Sequence, residues 1–225
     1  MRAFFVHMGL LLGRLLISIY MEEGFFMADH YFTNQPNSKT DKKVFSFTLR
    51  GNDLKFQSDS GVFSRNEVDF GSRVLINVFT YPEIEGNILD VGCGYGPIGL
   101  SIAKDDSSRT VEMVDVNLRA IELAKENADV NKIDNVKIYE SSIYENVTGE
   151  YAAILTNPPI RAGKSVVHEI LKGAHEKLLP GGELWVVIQK KQGAPSALDL
   201  LKETFDEVEV VKKDKGYYII KSKKD

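Results

Sequence analysis

Cysteine is almost missing from this chain. Cys93 is the single one in 225 residues, so there is no intramolecular disulfide and no thiolate metal cluster. Set between glycines, it reads as a small residue in a tight turn rather than a nucleophile. The 4 histidines (His7, His30, His168, His175) show no His-Glu-x-x-His spacing and no carboxylate at ligand distance in sequence, so no metal is expected. Excess positive charge is absent too: 28 Lys and Arg against 32 Asp and Glu give a net −4, which argues against bulk coating of nucleic acid but leaves room for a local basic site. No apolar run is long enough to span a bilayer. The nearest, residues 8–20, is short and broken by Arg14. Internal repeats, low-complexity segments and long linkers are also absent. What is present, 43% hydrophobic and 27% charged residues, is ordinary for a globular protein, and 225 residues suffice for one sizeable core or for one core with a small attachment.

Residues 1–26 stand apart. A positive residue and an apolar run imitate a signal peptide, but Glu22, Glu23, Phe25 and Phe26 follow where a small-residue cleavage site belongs. Codons for Glu22-Glu23-Gly24 can spell a purine-rich ribosome-binding sequence ahead of Met27. We expect translation to start at Met27, with 1–26 a non-native extension outside a single domain over 27–225.

The rest is organised around Ile88-Leu-Asp-Val-Gly-Cys-Gly-Tyr-Gly-Pro-Ile-Gly99. An apolar strand, 88–91, runs into Gly92, Gly94 and Gly96, which permit a sharp turn and expose bare backbone to a ligand. Pro97 then suits a first helical turn. The spacing is not the Gly-x-Gly-x-x-Gly of dinucleotide folds, and the Gly-Lys-Ser/Thr of a phosphate loop is lacking. Asp90, just before the glycines, repels a pyrophosphate and attracts a cation or amino group. Asp115, about 20 residues on at the end of the next strand, can accept both ribose hydroxyls of an adenosine, or can cap the following helix. Asn117 can share either role. This pair resembles motif I and its acidic partner in class I S-adenosylmethionine-dependent methyltransferases.

In chain order, 29–41 reads as a polar loop. Residues 44–49 and 54–56 form a hairpin around a turn at 50–53, 61–64 is a turn-like link, and a helix covers 69–79 with Val74, Leu75 and Val78 on one face. Beyond the glycine loop, helices over 98–104, 118–130, 168–178 and 197–204 alternate with strands over 110–115, 136–139, 151–155 and 183–188. Pro180-Gly-Gly182 stops the third of these helices. Strands 208–212 and 217–221 close the chain as a hairpin. The alternation predicts an α/β protein with a parallel sheet covered by helices, and the hairpin requires one antiparallel strand. The resemblance implies more: a Rossmann-like, seven-stranded sheet with its last strand antiparallel. A small N-terminal part, 27–80, then precedes a core over 81–225.

Asn157-Pro158-Pro159-Ile160 follows the fourth strand of this core, at the edge where ligands collect. It looks like the Asn-Pro-Pro-aromatic motif of methyltransferases that modify amino nitrogens. An exocyclic amine conjugated with a purine is a poor nucleophile. The Asn157 side-chain oxygen and Pro158 carbonyl can accept its two hydrogens and aim the lone pair, on a loop stiffened by two prolines. Ile160 replaces the usual aromatic, so base stacking falls to Phe63 or to the apolar face of Ile160. Together with Gly61-Val-Phe-Ser64 and Asp69-Phe-Gly71, the run Asn157 to Lys164 resembles the single-domain branch of the small-subunit rRNA guanine N2-methyltransferases. That resemblance covers Met27 to the C-terminus. It implies S-adenosylmethionine as cofactor, 16S rRNA or the small subunit as partner, and a cytoplasmic enzyme without membrane or metal. It also brings Glu140 or Ser142 near the adenine. Arg161, Lys164, Lys190 and Lys191, delivered by adjacent strands to one edge, suggest a phosphate-binding rim, whereas Lys212 to Lys224 reads as a solvated edge. Rival readings are a protein glutamine N-methyltransferase, which usually carries the aromatic, and a dehydrogenase, disfavoured by Asp90. A catalytically silent RNA-binding assembly factor is the third.

Overall fold

The computed structural model describes residues 39–225, so the extension expected over 1–26 and most of the loop over 29–41 lie outside the described residues. Strands β1 (Lys43–Leu49) and β2 (Asn52–Ser58) form a two-stranded antiparallel sheet. Its turn is two residues rather than four: Arg50 and Gly51 both take positive φ, 49° and 76°, so Asn52 and Asp53 already belong to β2. Such a turn matches the natural strand twist. Helix α1 (Phe70–Val78) follows, with the Asp69 side chain accepting from the Ser72 amide as its N-cap.

The main sheet begins at β3 (Ile88–Val91) and continues through α2 (Pro97–Asp105), β4 (Val111–Asp115), α3 (Leu118–Asn131), β5 (Val136–Glu140) and β6 (Tyr151–Thr156). A short 3₁₀ turn (Ile160–Ala162) leads to α4 (Lys164–Lys177), β7 (Leu178–Gln189), a second 3₁₀ turn (Lys190–Gln192), α5 (Ala194–Thr204), β8 (Glu207–Asp214) and β9 (Tyr217–Lys223). The seven strands lie in the order β5-β4-β3-β6-β7-β9-β8. Only β9 runs against its neighbours. This is the Rossmann-like architecture implied by the resemblance.

Strand residues alternate between two apolar layers because successive side chains point to opposite faces. Ile88, Met113, Leu155 and Trp185 pack against the hairpin and α1 to α3. Leu89, Val114, Ile154 and Val186 pack against α4 and α5. The two largest boundary differences from the sequence reading lie at the two ends of the helix α4 region. Helix α4 starts at Lys164, not His168: Val167 in its first turn is already buried and opens the apolar stripe that Ile170, Leu171 and Ala174 continue. Pro180-Gly-Gly182 does not end that helix; it lies inside β7, as a bulge across which pairing passes from Tyr151↔Leu178 to Ala153↔Glu183.

The hairpin is fixed to the core by two asparagines one turn apart on α3. Asn127 accepts from the Gln57 amide (2.7 Å) and donates to the Gln57 carbonyl (2.9 Å); Asn131 does the same for Lys55 at 2.9 and 2.7 Å. They imitate a neighbouring strand and satisfy backbone groups that β2 would otherwise leave unpaired. Among the described residues no helix is long and apolar enough to cross a membrane.

Candidate active site

All the parallel strands deliver their C-terminal ends to one edge. Val91 is level with Val114 and with Thr156, so the glycine loop after β3, Asp115 on β4 and Asn157 after β6 converge there. The chain works outward from β3 to β4 and β5, then crosses back to β6. The crevice between β3 and β6 is therefore the topological switch point, where open α/β sheets hold ligands. The Thr156 hydroxyl donates to the Val91 carbonyl at 2.8 Å and ties the two strand ends together.

Gly92 and Gly94 have φ of 75° and 57°, and a β-carbon at either would meet nothing within 4 Å. The loop is thus bare backbone facing open space. Its floor is acidic. The Gly94 amide donates to Asp115 Oδ2 (2.8 Å) and the Asn117 amide to Oδ1 (2.9 Å), which fixes a half-buried carboxylate with lone pairs to spare. Burial raises its pKa, while the Asn117, Gly94 and Val116 amides pull it back. Asp90 is buried, and its Oδ2 accepts from the Gly99 amide at 2.8 Å. Its Oδ1 has no partner. Burial pushes this carboxyl up to about 7, the Gly99 amide opposes the shift, and the Asp115 charge adds to it. An orphaned buried carboxylate oxygen needs a donor or a cation to complete it.

Asn157 is held from the other side. Its Nδ2 donates to Asp69 Oδ2 (3.1 Å) and to Ser72 Oγ (2.9 Å). With both amide hydrogens engaged toward α1, Oδ1 lies on the opposite side of the carboxamide and makes no hydrogen bond among the described residues. Pro158 is buried beside it, and the Pro159 carbonyl is occupied by the Ala162 amide at 2.9 Å.

Residues 59–68 are pinned against the cradle. The Asn117 side chain donates to the Gly61 carbonyl (2.9 Å), and the Tyr95 hydroxyl, from within the glycine loop, lies 3.3 and 3.2 Å from the Ser64 and Glu67 carbonyls. Phe63 projects from this segment with 60% of its surface exposed.

Of the residues singled out from sequence, Asp90, Gly92, Gly94, Gly96, Asp115, Asn157, Pro158 and Pro159 meet at the crevice. Asn117 caps α3, its Oδ1 accepting from the Arg119 and Ala120 amides, so the cap weighed for Asp115 falls to it instead. Ser142 is exposed in the loop after β5, while Ile160 packs partly into the α4–α5 layer. Arg161, Lys164, Lys190 and Lys191 are exposed at the ends of β6 and β7. The lysine-rich tail is only partly a solvated edge: Lys221 pairs with Glu209 (2.7 Å) and Lys224 donates to the Leu178 carbonyl (2.7 Å). Sequence reasoning gave no site role to Ser72, Tyr95 or Thr156. It used Asp69 only as part of a family segment, although an Asp just ahead of a helix is itself an N-cap signal.

A family model, the methyltransferase small domain, matches residues 53–221. The chain belongs to the methyltransferase small domain family. This methyltransferase small domain is 62% identical over 200 residues to the uncharacterised protein YbxB of Bacillus subtilis, covering 88% of this chain and 100% of that one. It is 30% identical over 186 residues to ribosomal RNA small subunit methyltransferase C of Vibrio cholerae, covering 81% of this chain and 53% of that protein. The T. thermophilus 16S rRNA N2 G1207 methyltransferase (RsmC), solved with AdoMet and guanosine, shares the fold at a TM-score of 0.73 and 24% identity, over 84% of this chain and 52% of that one. The methyltransferase small domain thus spans about half the length of its methyltransferase C relatives. Its open glycine backbone, fixed Asp115 and orphaned Asp90 oxygen fit S-adenosylmethionine, which brings an adenosine and positive charge together.

Proposed function

We propose that this chain transfers a methyl group from S-adenosylmethionine to the exocyclic N2 of a guanine in 16S rRNA. When bound, the cofactor supplies an electrophilic methyl group on a sulfonium. Asp115 accepts from the ribose hydroxyls, the glycine loop lies against the nucleoside, and Asp90 favours the positive charge. The observation that carries the reading is the orientation of Asn157: its donors are held by Asp69 and Ser72, which leaves Oδ1 as an acceptor beside the cradle. A target amine needs acceptors for its two hydrogens, and Oδ1 and the Pro158 carbonyl are the pair this loop offers. Held that way, the nitrogen lone pair is aimed rather than delocalised, and the rate gain comes from orientation and preorganised dipoles. Phe63, exposed on the segment tied to the cradle, supplies the stacking surface that Ile160 lacks. The small-subunit rRNA activity of the methyltransferase C relatives supports the choice of substrate.

The test is transfer of radiolabelled methyl from S-adenosylmethionine to undermethylated small ribosomal subunits. Label is expected in RNA, at guanine N2. Asn157→Ala should slow transfer about 10²-fold or more while cofactor affinity is kept. Label in protein, or none in either, would refute the reading.

A further inference from the structure

We propose that Asp69 is a positioning residue for methyl transfer: its carboxylate decides which end of the Asn157 carboxamide faces the incoming amine. The proposal rests on Asn157 as the amine acceptor. A carboxamide fits its surroundings almost equally well either way round, but only one way presents an acceptor. Flipped, Asn157 would point its NH₂ at the substrate NH₂, donor against donor. Of the two groups touching Nδ2, Ser72 Oγ cannot make the choice, because a hydroxyl can donate as readily as accept. An ionised carboxylate can only accept. Asp69 Oδ2, 3.1 Å from Nδ2, would repel the Asn157 oxygen in the flipped state. The choice therefore belongs to Asp69.

That carboxylate is itself held. The same Oδ2 accepts from the Ser72 amide at 3.0 Å as the N-cap of α1, and the Arg73 amide donates to the Asp69 carbonyl at 2.9 Å. Gly71 keeps the turn tight: a β-carbon there would lie 2.8 Å from the Tyr217 ring and 3.0 Å from Asp69 Oδ2. A charged acceptor also polarises the carboxamide and strengthens Oδ1 as an acceptor in turn. Helix α1, outside the parallel core, so orients a group 88 residues further along the chain from its N-cap.

Asp69→Ser separates this role from folding, since serine is also a good N-cap but its shorter, two-way hydroxyl cannot hold Asn157 by charge. Turnover of undermethylated small subunits should fall about 10²-fold in kcat, the scale of a misplaced reacting group. KM for the cofactor, its calorimetric affinity and Tm should stay close to wild type. Asp69→Asn, which keeps an acceptor but can itself flip, should recover part of the loss. Independently of turnover, the side-chain amide resonances of Asn157 should be protected from exchange in the wild type and lose that protection in Asp69→Ser. Wild-type kcat in Asp69→Ser alongside an inactive Asn157→Ala would overturn the proposal. So would a loss of cofactor affinity that matches the loss of rate, which marks a merely structural role. Normal turnover by Asn157→Ala would instead sink the reading of Asn157, while the amide resonances still report whether Asp69 holds it.

Discussion

Asp90 and Asp115 place two carboxylates beside the cradle, and both are raised by burial. For Asp90 the sign is clear. Its folded value of about 7 lies above the ordinary 3.8, so between those pH values the folded chain keeps a proton that the unfolded chain has lost. Stability therefore falls as pH rises through that window, and Asp115 contributes in the same direction. Urea midpoints of the ligand-free protein should drop from pH 5 to 8, and Asp90→Asn, which can still accept from Gly99, should flatten the drop. A bound sulfonium reverses the preference, so cofactor binding should tighten over the same range and release a proton, readable by calorimetry in buffers of different ionisation enthalpy. At Asp115 the expectation is simpler. Asp115→Ala should weaken S-adenosylmethionine by about 1.5–3 kcal/mol, the worth of hydrogen bonds to a charged group. Unchanged affinity would remove Asp115 from the site.

At the scale of elements, the segment between β2 and α1 would, in the proposed reading, join cofactor and substrate. It is tied to the Tyr95 hydroxyl in the glycine loop and to Asn117 beside Asp115, and it carries exposed Phe63. The same two anchors that build the cradle thus set where the aromatic stands. Phe63→Ala should raise KM for RNA by the loss of one stacking contact, about 1–3 kcal/mol. Phe63→Tyr should restore it, and S-adenosylmethionine affinity should not move in either variant. An unchanged KM would place the stacking surface elsewhere.

For the whole molecule, the proposed RNA substrate raises the question of how a chain of net charge −4 would grip a polyanion. Strands β6 and β7 are parallel neighbours, so Arg161, Lys164, Lys190 and Lys191 follow them onto the edge that holds the crevice. The β8–β9 hairpin adds to that edge: the Lys190 amide donates to the Gly216 carbonyl at 2.7 Å, and Lys215 stands 4.7 Å over the Phe70 ring. Replacing Arg161, Lys164 and Lys190 by glutamine should weaken RNA binding and flatten its salt dependence, by about 0.7 in slope for each lost single-strand phosphate contact. Cofactor binding should survive. Parallel binding lines of equal height would place the RNA surface on another face.

The sequence alone determined the strand–helix alternation, the glycine loop with its two acids, and the position of Asn157-Pro-Pro after a strand. These are local patterns: period, turn chemistry and a carboxylate at a strand end are written in neighbouring residues. It missed the bulge at Pro180-Gly-Gly182, because pairing across β6 overrode a stop signal that is valid in isolation. It also left undecided which residue caps α3, since Asp115 and Asn117 carry equivalent caps in sequence. Only the tertiary structure set Asn117 as the cap and left Asp115 facing Gly94. Only it brought Asp69 and Ser72 to Asn157, and laid Asn127 and Asn131 along β2. A contact spanning 88 residues has no local signature, because it is fixed by how α1 packs on the sheet rather than by any spacing along the chain.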